Sequence, residues 1–126
     1  MKKIFFIVFL FLNQSQNIFS KEFKLQEAIN GLNSPWSLSF ISNDRVIATE
    51  KSGNLMLIDF NINEIKKIKH NLNILEDGQG GLLEVLYFKD QVFVSYSEDL
   101  KRGYSTTSVA KANFNENELN FQNIFR

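Results

Sequence analysis

The sequence has no cysteine, one proline and one histidine among its 126 residues, and each scarcity excludes something. Without cysteine there is no disulfide, no thiolate nucleophile, no zinc site built on sulfur and no lipid-bearing cysteine. A single histidine, His70, offers no imidazole cluster for a metal and no second partner for a relay. Neither sign of charge is in surplus: 14 Lys and Arg face 14 Asp and Glu, for a formal net charge of zero. That balance argues against a protein that follows a phosphate backbone with a basic face. The length suits one domain with a core and is too short for two. What is abundant is apolar, with 44% hydrophobic residues and 13 phenylalanines beside only 6 glycines. Such a composition is globular, neither collagen-like nor disordered.

No apolar run is long enough to cross a membrane. The longest, IFFIVFLFL at positions 4–12, has nine residues. As a helix it would reach roughly 14 Å, about half of the ~30 Å hydrocarbon core. Lys2 and Lys3 precede it, and polar NQSQNIFS follows at 13–20. A basic start, a short apolar stretch and a polar end on a small residue predict a secretory signal peptide over 1–20, cleaved near the junction of Ser20 and Lys21. Its removal takes away two lysines and no acid, leaving a weakly acidic mature chain. The expectation is therefore a periplasmic or secreted protein whose stability comes from packing, metal or sheer size rather than disulfides.

From Trp36 onward, short alternating runs are punctuated by turn residues. Strands are predicted at 36–41 (WSLSFI), 45–50 (RVIATE), 55–60 (LMLIDF) and 64–68 (EIKKI), the last polar enough to be an exposed edge. Ser52-Gly53-Asn54 suits a tight hairpin needing positive φ. After a glycine-rich connection the plan repeats: 82–88 (LLEVLYF), 91–96 (QVFVSY), a polar loop over 97–105, then 106–114 (TTSVAKANF) and 118–125 (ELNFQNIF). The units match in order. Residues 36–40 answer 83–87, Val46-Ile47-Ala48 answers Val92-Phe93-Val94, and Phe60-Asn61-Ile62-Asn63-Glu64 answers Phe114-Asn115-Glu116-Asn117-Glu118. Two consecutive four-stranded antiparallel units predict an all-β chain made of two β-propeller blades, with a single eight-stranded sandwich or barrel as the alternative. No convincing helix is present; 22–29 (EFKLQEAI) is loosely helical in spacing and equally compatible with an outer strand. Two blades leave side faces bare, so the pattern implies the N-terminal part of a longer propeller.

The most informative segment is Asp77-Gly78-Gln79-Gly80-Gly81-Leu82-Leu83. Three glycines in four residues let a backbone take positive φ or approach a ligand or another backbone closely. Gln79 is the one side chain there with both donor and acceptor, able to hold a hydroxyl without a change of charge. No Lys-Ser/Thr pair and no helical pattern follow, so a phosphate-cradling loop is excluded. Taken alone, the glycines are explained by a tight bend between blades.

Three motifs change that balance. Ser34-Pro35-Trp36-Ser37-Leu38-Ser39-Phe40, Ala48-Thr49-Glu50-Lys51-Ser52-Gly53-Asn54-Leu55 and Gly78-Gln79-Gly80-Gly81-Leu82-Leu83-Glu84-Val85 resemble the soluble, pyrroloquinoline-quinone-dependent sugar dehydrogenases, the glucose/sorbosone (aldose sugar) dehydrogenase family. They occur in the family's order, and the likeness extends over about 23–126. It implies a six-bladed propeller with the quinone and a calcium ion near its axis. It also implies a histidine base that takes the proton of the sugar's anomeric hydroxyl as hydride leaves for the quinone. The glutamine of the glycine motif lies at the family's substrate pocket, which gives Gln79 a substrate-binding role. The catalytic histidine and the cofactor and calcium ligands are expected beyond Arg126, so the chain by itself should be inactive and should carry no metal ligands.

The remaining polar residues have plainer expectations. His70 lies in a polar Lys69-His70-Asn71 turn and is read as an exposed surface residue. Glu50 and Glu84 are read as strand-end polar residues rather than a carboxylate pair, and Lys66, Lys67 and Lys69 as a solvated edge. The implied partners are a small sugar and an electron acceptor, with no nucleic acid and no membrane anchor after cleavage. A non-catalytic propeller-like module that binds carbohydrate or protein is the alternative function, and a short exported β-sandwich is a third.

Overall fold

The computed structural model describes residues 23–126; the expected signal peptide lies outside them. Nine strands form two sheets, with no helix among the described residues. The first sheet begins with β1 (Pro35–Phe40), β2 (Arg45–Glu50), β3 (Leu55–Asp59) and β4 (Glu64–His70). The second contains β5 (Leu82–Phe88), β6 (Gln91–Asp99), β7 (Ser105–Asn113) and β9 (Gln122–Phe125), while β8 (Glu118–Leu119) joins the first. Apart from β8, each is an antiparallel meander of four strands, as a blade requires.

The repeat read in the sequence is a repeat in space. Phe40 pairs with Val46 and Leu38 with Ala48 in the first blade. The equivalent Tyr87 pairs with Val92, and Val85 with Val94, in the second. Even the third-strand exits agree: Phe60 N–H donates to the Asp44 carbonyl at 2.9 Å and Phe114 N–H to the Asp90 carbonyl at 2.8 Å.

Strand alternation explains how the blades stack, because successive side chains leave opposite faces of a sheet. Ile47, Leu55, Leu57 and Ile68 from the first blade meet Val85, Val92, Val94, Tyr96 and Ala110 from the second in one continuous core. Along the edge where β1 faces β5, hydroxyls replace apolar contacts. Ser39 Oγ accepts the Tyr87 N–H at 2.9 Å, Ser37 Oγ accepts that of Val85 at 3.3 Å, and Thr49 Oγ1 donates to the Leu83 carbonyl at 2.6 Å. Edge groups that would otherwise be buried unpaired are thereby satisfied.

The outer faces are less covered. On the first blade, Val46, Ala48 and Ile58 are buried beneath Ile29, Leu32, Phe60 and Ile65. The described part of the segment expected to be helix or strand, 23–29, is neither; its Ile29 acts as a covering for that face. Trp36, Leu38 and Phe40 remain exposed on β1, as do Leu86, Phe88, Ile124 and Phe125 on the far face of the second blade.

Three expectations are corrected. The 118–125 strand is split: β8 pairs in parallel with β4, through Lys69 with Glu118 and His70 with Leu119, and only β9 stays with β7. Burial decides this, since Leu119 at 0% and Phe121 at 6% exposure enter the inter-blade core. The Asn71 side chain fixes the crossing by accepting the Phe121 N–H at 2.8 Å and donating to its carbonyl at 3.1 Å. The 97–105 loop shrinks to 100–104, because Ser97, Glu98 and Asp99 pair with Thr107, Thr106 and Ser105. The 64–68 edge runs on to His70 and is partly covered: Lys66 Nζ donates to Asn117 Oδ1 at 2.7 Å, while Lys67 and Lys69 stay exposed.

Leu119 and Leu86 should separate the filled interface from the bare face. Leu119→Ala should lower the unfolding free energy by about 2–5 kcal/mol in denaturant melts. Leu86, 54% exposed, should change it by no more than about 0.5 kcal/mol on replacement by alanine.

Candidate functional site at the glycine loop

Between the blades the chain runs beside the end of β6. Leu75 N–H donates to the Ser97 carbonyl at 2.9 Å, Asp99 N–H to the Asn73 carbonyl at 3.0 Å, and Ser97 N–H to the Gly81 carbonyl at 2.8 Å. A turn closes over Asp77 to Gly80, with Gly80 N–H donating to the Asp77 carbonyl at 2.6 Å. Gly78 occupies its second position with φ +52°, a conformation that a Cβ disfavours. Gln79 holds the third position, exposed to solvent.

The loop rests on the turn between β2 and β3. A Cβ on Gly81 would overlap the Lys51 carbonyl oxygen, and one on Gly80 would lie 2.7 Å from Ser97 Oγ. Glycine is what lets Leu82 N–H donate to the Lys51 carbonyl at 3.1 Å. Lys51 then reaches up, its Nζ donating to the Gly78 carbonyl at 2.6 Å. The tight bend is as read from the sequence, and it leaves Gln79 as the exposed amide at its tip.

Neighbouring polar residues support this platform. Glu50, 3% exposed, accepts the Asn33 N–H and one Asn54 Nδ2–H, each at 2.6 Å. Glu84 is exposed and accepts the Ser37 hydroxyl at 2.9 Å, so the two carboxylates have separate structural partners. The expectation of an exposed His70 is corrected. Its ring is half-buried, edge-on to Phe121 at 6.4 Å between centroids. Nε2 lies 2.7 Å from the Gly53 carbonyl, and Nδ1 accepts the Leu72 N–H at 3.3 Å. That pattern assigns a neutral ring with the proton on Nε2, holding the hairpin turn. His70 is partly covered because β8 pairs beside it and Phe121 packs on its ring.

With this geometry in place, the family model for glucose/sorbosone dehydrogenases matches residues 32–126. The chain belongs to that family. A solved glucose dehydrogenase is 30% identical, with a TM-score of 0.74, over 80% of this chain and 32% of its own. The soluble aldose sugar dehydrogenase of Escherichia coli, in its apo form, is 22% identical over 80% of this chain and 32% of its own, with a TM-score of 0.73. The PQQ-bound aldose sugar dehydrogenase of Streptomyces coelicolor is 17% identical over 81% of this chain and 33% of its own, with a TM-score of 0.70. The last two likenesses concern the fold alone. The chain spans about a third of the length of these relatives. No curated protein sequence matches it.

Within the family fold, a second polar cluster escaped the sequence reading. Glu98 is buried at the end of β6, where its Oε2 accepts from Ser108 Oγ at 2.6 Å, Asn123 Nδ2 at 3.0 Å and Arg126 Nε at 2.9 Å. A second Arg126 nitrogen reaches Oε1 at 2.7 Å. The Arg126 guanidinium and the Ser108 hydroxyl hold the Glu98 carboxyl below the usual glutamate range, against the opposing effect of burial. Burial pushes the Tyr96 phenol up, so it stays a neutral donor to Asn123 Oδ1 at 2.8 Å. The signal was present in the alternation, since Val92, Val94, Tyr96 and Glu98 are successive inward positions of β6.

The chemistry these residues can perform is limited. Gln79 can hold a hydroxyl, but both ring nitrogens of His70 are engaged, and among the described residues no three of His, Asp and Glu gather at one point. The implied quinone is an anionic group, and the one lysine at the loop, Lys51, is committed to the Gly78 carbonyl. The described residues do not fit the quinone or a calcium ion.

The Glu98 cluster predicts an acid limb of stability. A carboxyl depressed on folding contributes in full above its unfolded pKa and loses that contribution as pH falls through its folded value. Denaturation midpoints should therefore fall below about pH 4.5, the ordinary glutamate value, and Glu98→Gln should flatten that part of the profile.

Proposed function

We propose that this chain supplies the first two blades of an exported quinone-dependent sugar dehydrogenase, and that Gln79 hydrogen-bonds a hydroxyl of an aldose-type substrate. The observation that carries this reading is the glycine loop. Its backbone is pinned to Lys51 and Ser97 while its one amide side chain is left exposed, in a chain of the glucose/sorbosone dehydrogenase family. The 30% identity with a solved glucose dehydrogenase supports a sugar as the substrate, and the quinone is carried over from a PQQ-bound structure that shares the fold.

In this division of labour, Gln79 binds and orients. A neutral amide can donate to one sugar oxygen and accept from another hydroxyl without the desolvation cost of a charge. The proton of the reacting hydroxyl needs a base worth ~10²–10⁴-fold in rate, and His70 is committed to the hairpin. The base, the quinone grip and the calcium ligands belong to further blades. The exposed rows on β1 and β5 are the faces those blades would cover. Residues 1–20 direct export, so the mature protein should begin at or near Lys21 in N-terminal sequencing of periplasmic material.

Dye-linked aldose oxidation with added quinone and calcium tests the reading. The complete protein should turn over, the 126-residue chain should not, and Gln79→Ala should raise KM several-fold without loss of folding. Neutral hydrogen bonds worth about 0.5–1.5 kcal/mol each set that size. Activity from the 126-residue chain, or a Gln79→Ala enzyme equal to the parent, would contradict it.

A further inference from the structure

Gln79 is surrounded by backbone of unusual freedom, with Gly78 before it and Gly80 and Gly81 after it. Glycine loses the most conformational entropy on ordering, so a side chain at the tip of such a loop needs something outside the loop to aim it. The turn shows where that hold must act. Gly78 has positive φ and Gln79 does not, with Gly80 N–H bonded to the Asp77 carbonyl. This is the pattern of a type II′ turn. Its central peptide, between Gly78 and Gln79, makes no ladder bond and is the unit free to rotate.

Resting on the substrate-binding reading of Gln79, we infer that Lys51 is the positioning residue for Gln79. Its ammonium donates to the Gly78 carbonyl at 2.6 Å and so fixes the plane of the peptide that carries the Gln79 nitrogen. A lysine is suited to this only if its own base is rigid, and here it is. Lys51 N–H donates to the Ser34 carbonyl at 3.0 Å and its carbonyl accepts from Leu82 at 3.1 Å. Its stem lies against Gly81, where an added Cβ would come within 2.9 Å of Lys51 Cγ. Hydrogen bonds from a charged donor are roughly twice as strong as neutral ones. Its loss would free the turn while leaving the backbone join between the blades intact. The lysine of the Thr49-Glu50-Lys51-Ser52-Gly53 motif thus reaches the tip of the glycine motif with its side chain, beside the backbone bond it makes to Leu82.

Amide hydrogen exchange and steady-state kinetics, both on the complete enzyme, test this together. Lys51→Met keeps the stem and removes the charge; Lys51→Arg restores a donor. Lys51→Met should speed exchange of the Gly80 amide about tenfold and leave the Leu82 amide, bonded to the Lys51 backbone, unchanged. Lys51→Arg should recover most of the Gly80 protection. In the enzyme, Lys51→Met should raise the aldose KM about three- to tenfold with kcat little altered, and should add nothing to Gln79→Ala. Unchanged Gly80 exchange, or equal acceleration at Gly80 and Leu82, would overturn the lock whatever Gln79 does. Faster Gly80 exchange with a KM indifferent to both Lys51→Met and Gln79→Ala would instead remove Gln79 from the substrate site, and with it the positioning role of Lys51.

Discussion

The Lys51 carbonyl accepts the Leu82 N–H at 3.1 Å, and it can do so because Gly81 places no side chain between them. That close approach starts the second blade directly against the hairpin turn of the first. Much of the remaining arrangement depends on it. β5 is brought beside β1, where the hydroxyls of Ser37, Ser39 and Thr49 satisfy its edge. The inward positions of β6 then fall on Ile47, Leu55 and Leu57. The loop that precedes Leu82 is held at the blade junction, with its tip in solvent. A structural necessity and a candidate binding element are therefore the same four residues.

The blades are joined again near the C-terminal end of the second unit. Leu119 and Phe121 cross back into the shared core, guided by Asn71 and by the two-residue pairing of β8 with β4. Within the second blade, Arg126 closes on Glu98, holding the end of β9 against the end of β6. These ties make the pair of blades a unit while leaving its outer rows uncovered. Trp36, Leu38 and Phe40 on one side and Leu86, Phe88, Ile124 and Phe125 on the other are the apolar rows that stay exposed.

Most of the fold was legible in the sequence, because alternation and turn chemistry are local signals. The matched positions of Phe60 and Phe114, and the equivalence of residues 36–40 with 83–87, survive as matched hydrogen bonds and registers. What failed was non-local. Nothing in ELNFQNIF announces that Leu119 serves the first blade, since the reason lies in Asn71 and β4, some fifty residues earlier. His70 looked like a surface turn residue because its partners, Gly53 and Phe121, come from distant segments. Glu98 was hidden by the polar company of Ser97 and Asp99, although its inward phase on β6 could have marked it. At the glycine loop, the bend and the exposed glutamine were legible; the grip of Lys51 on Gly78 was not, because it spans 27 residues.

The central claim is that Gln79, held at this junction, meets the substrate. A structure of the complete protein with an aldose bound tests it most directly. The account predicts the Gln79 amide within about 3.2 Å of a sugar hydroxyl, with the turn of Asp77 to Gly80 unchanged. A sugar bound with its hydroxyls out of reach of Gln79 would contradict it.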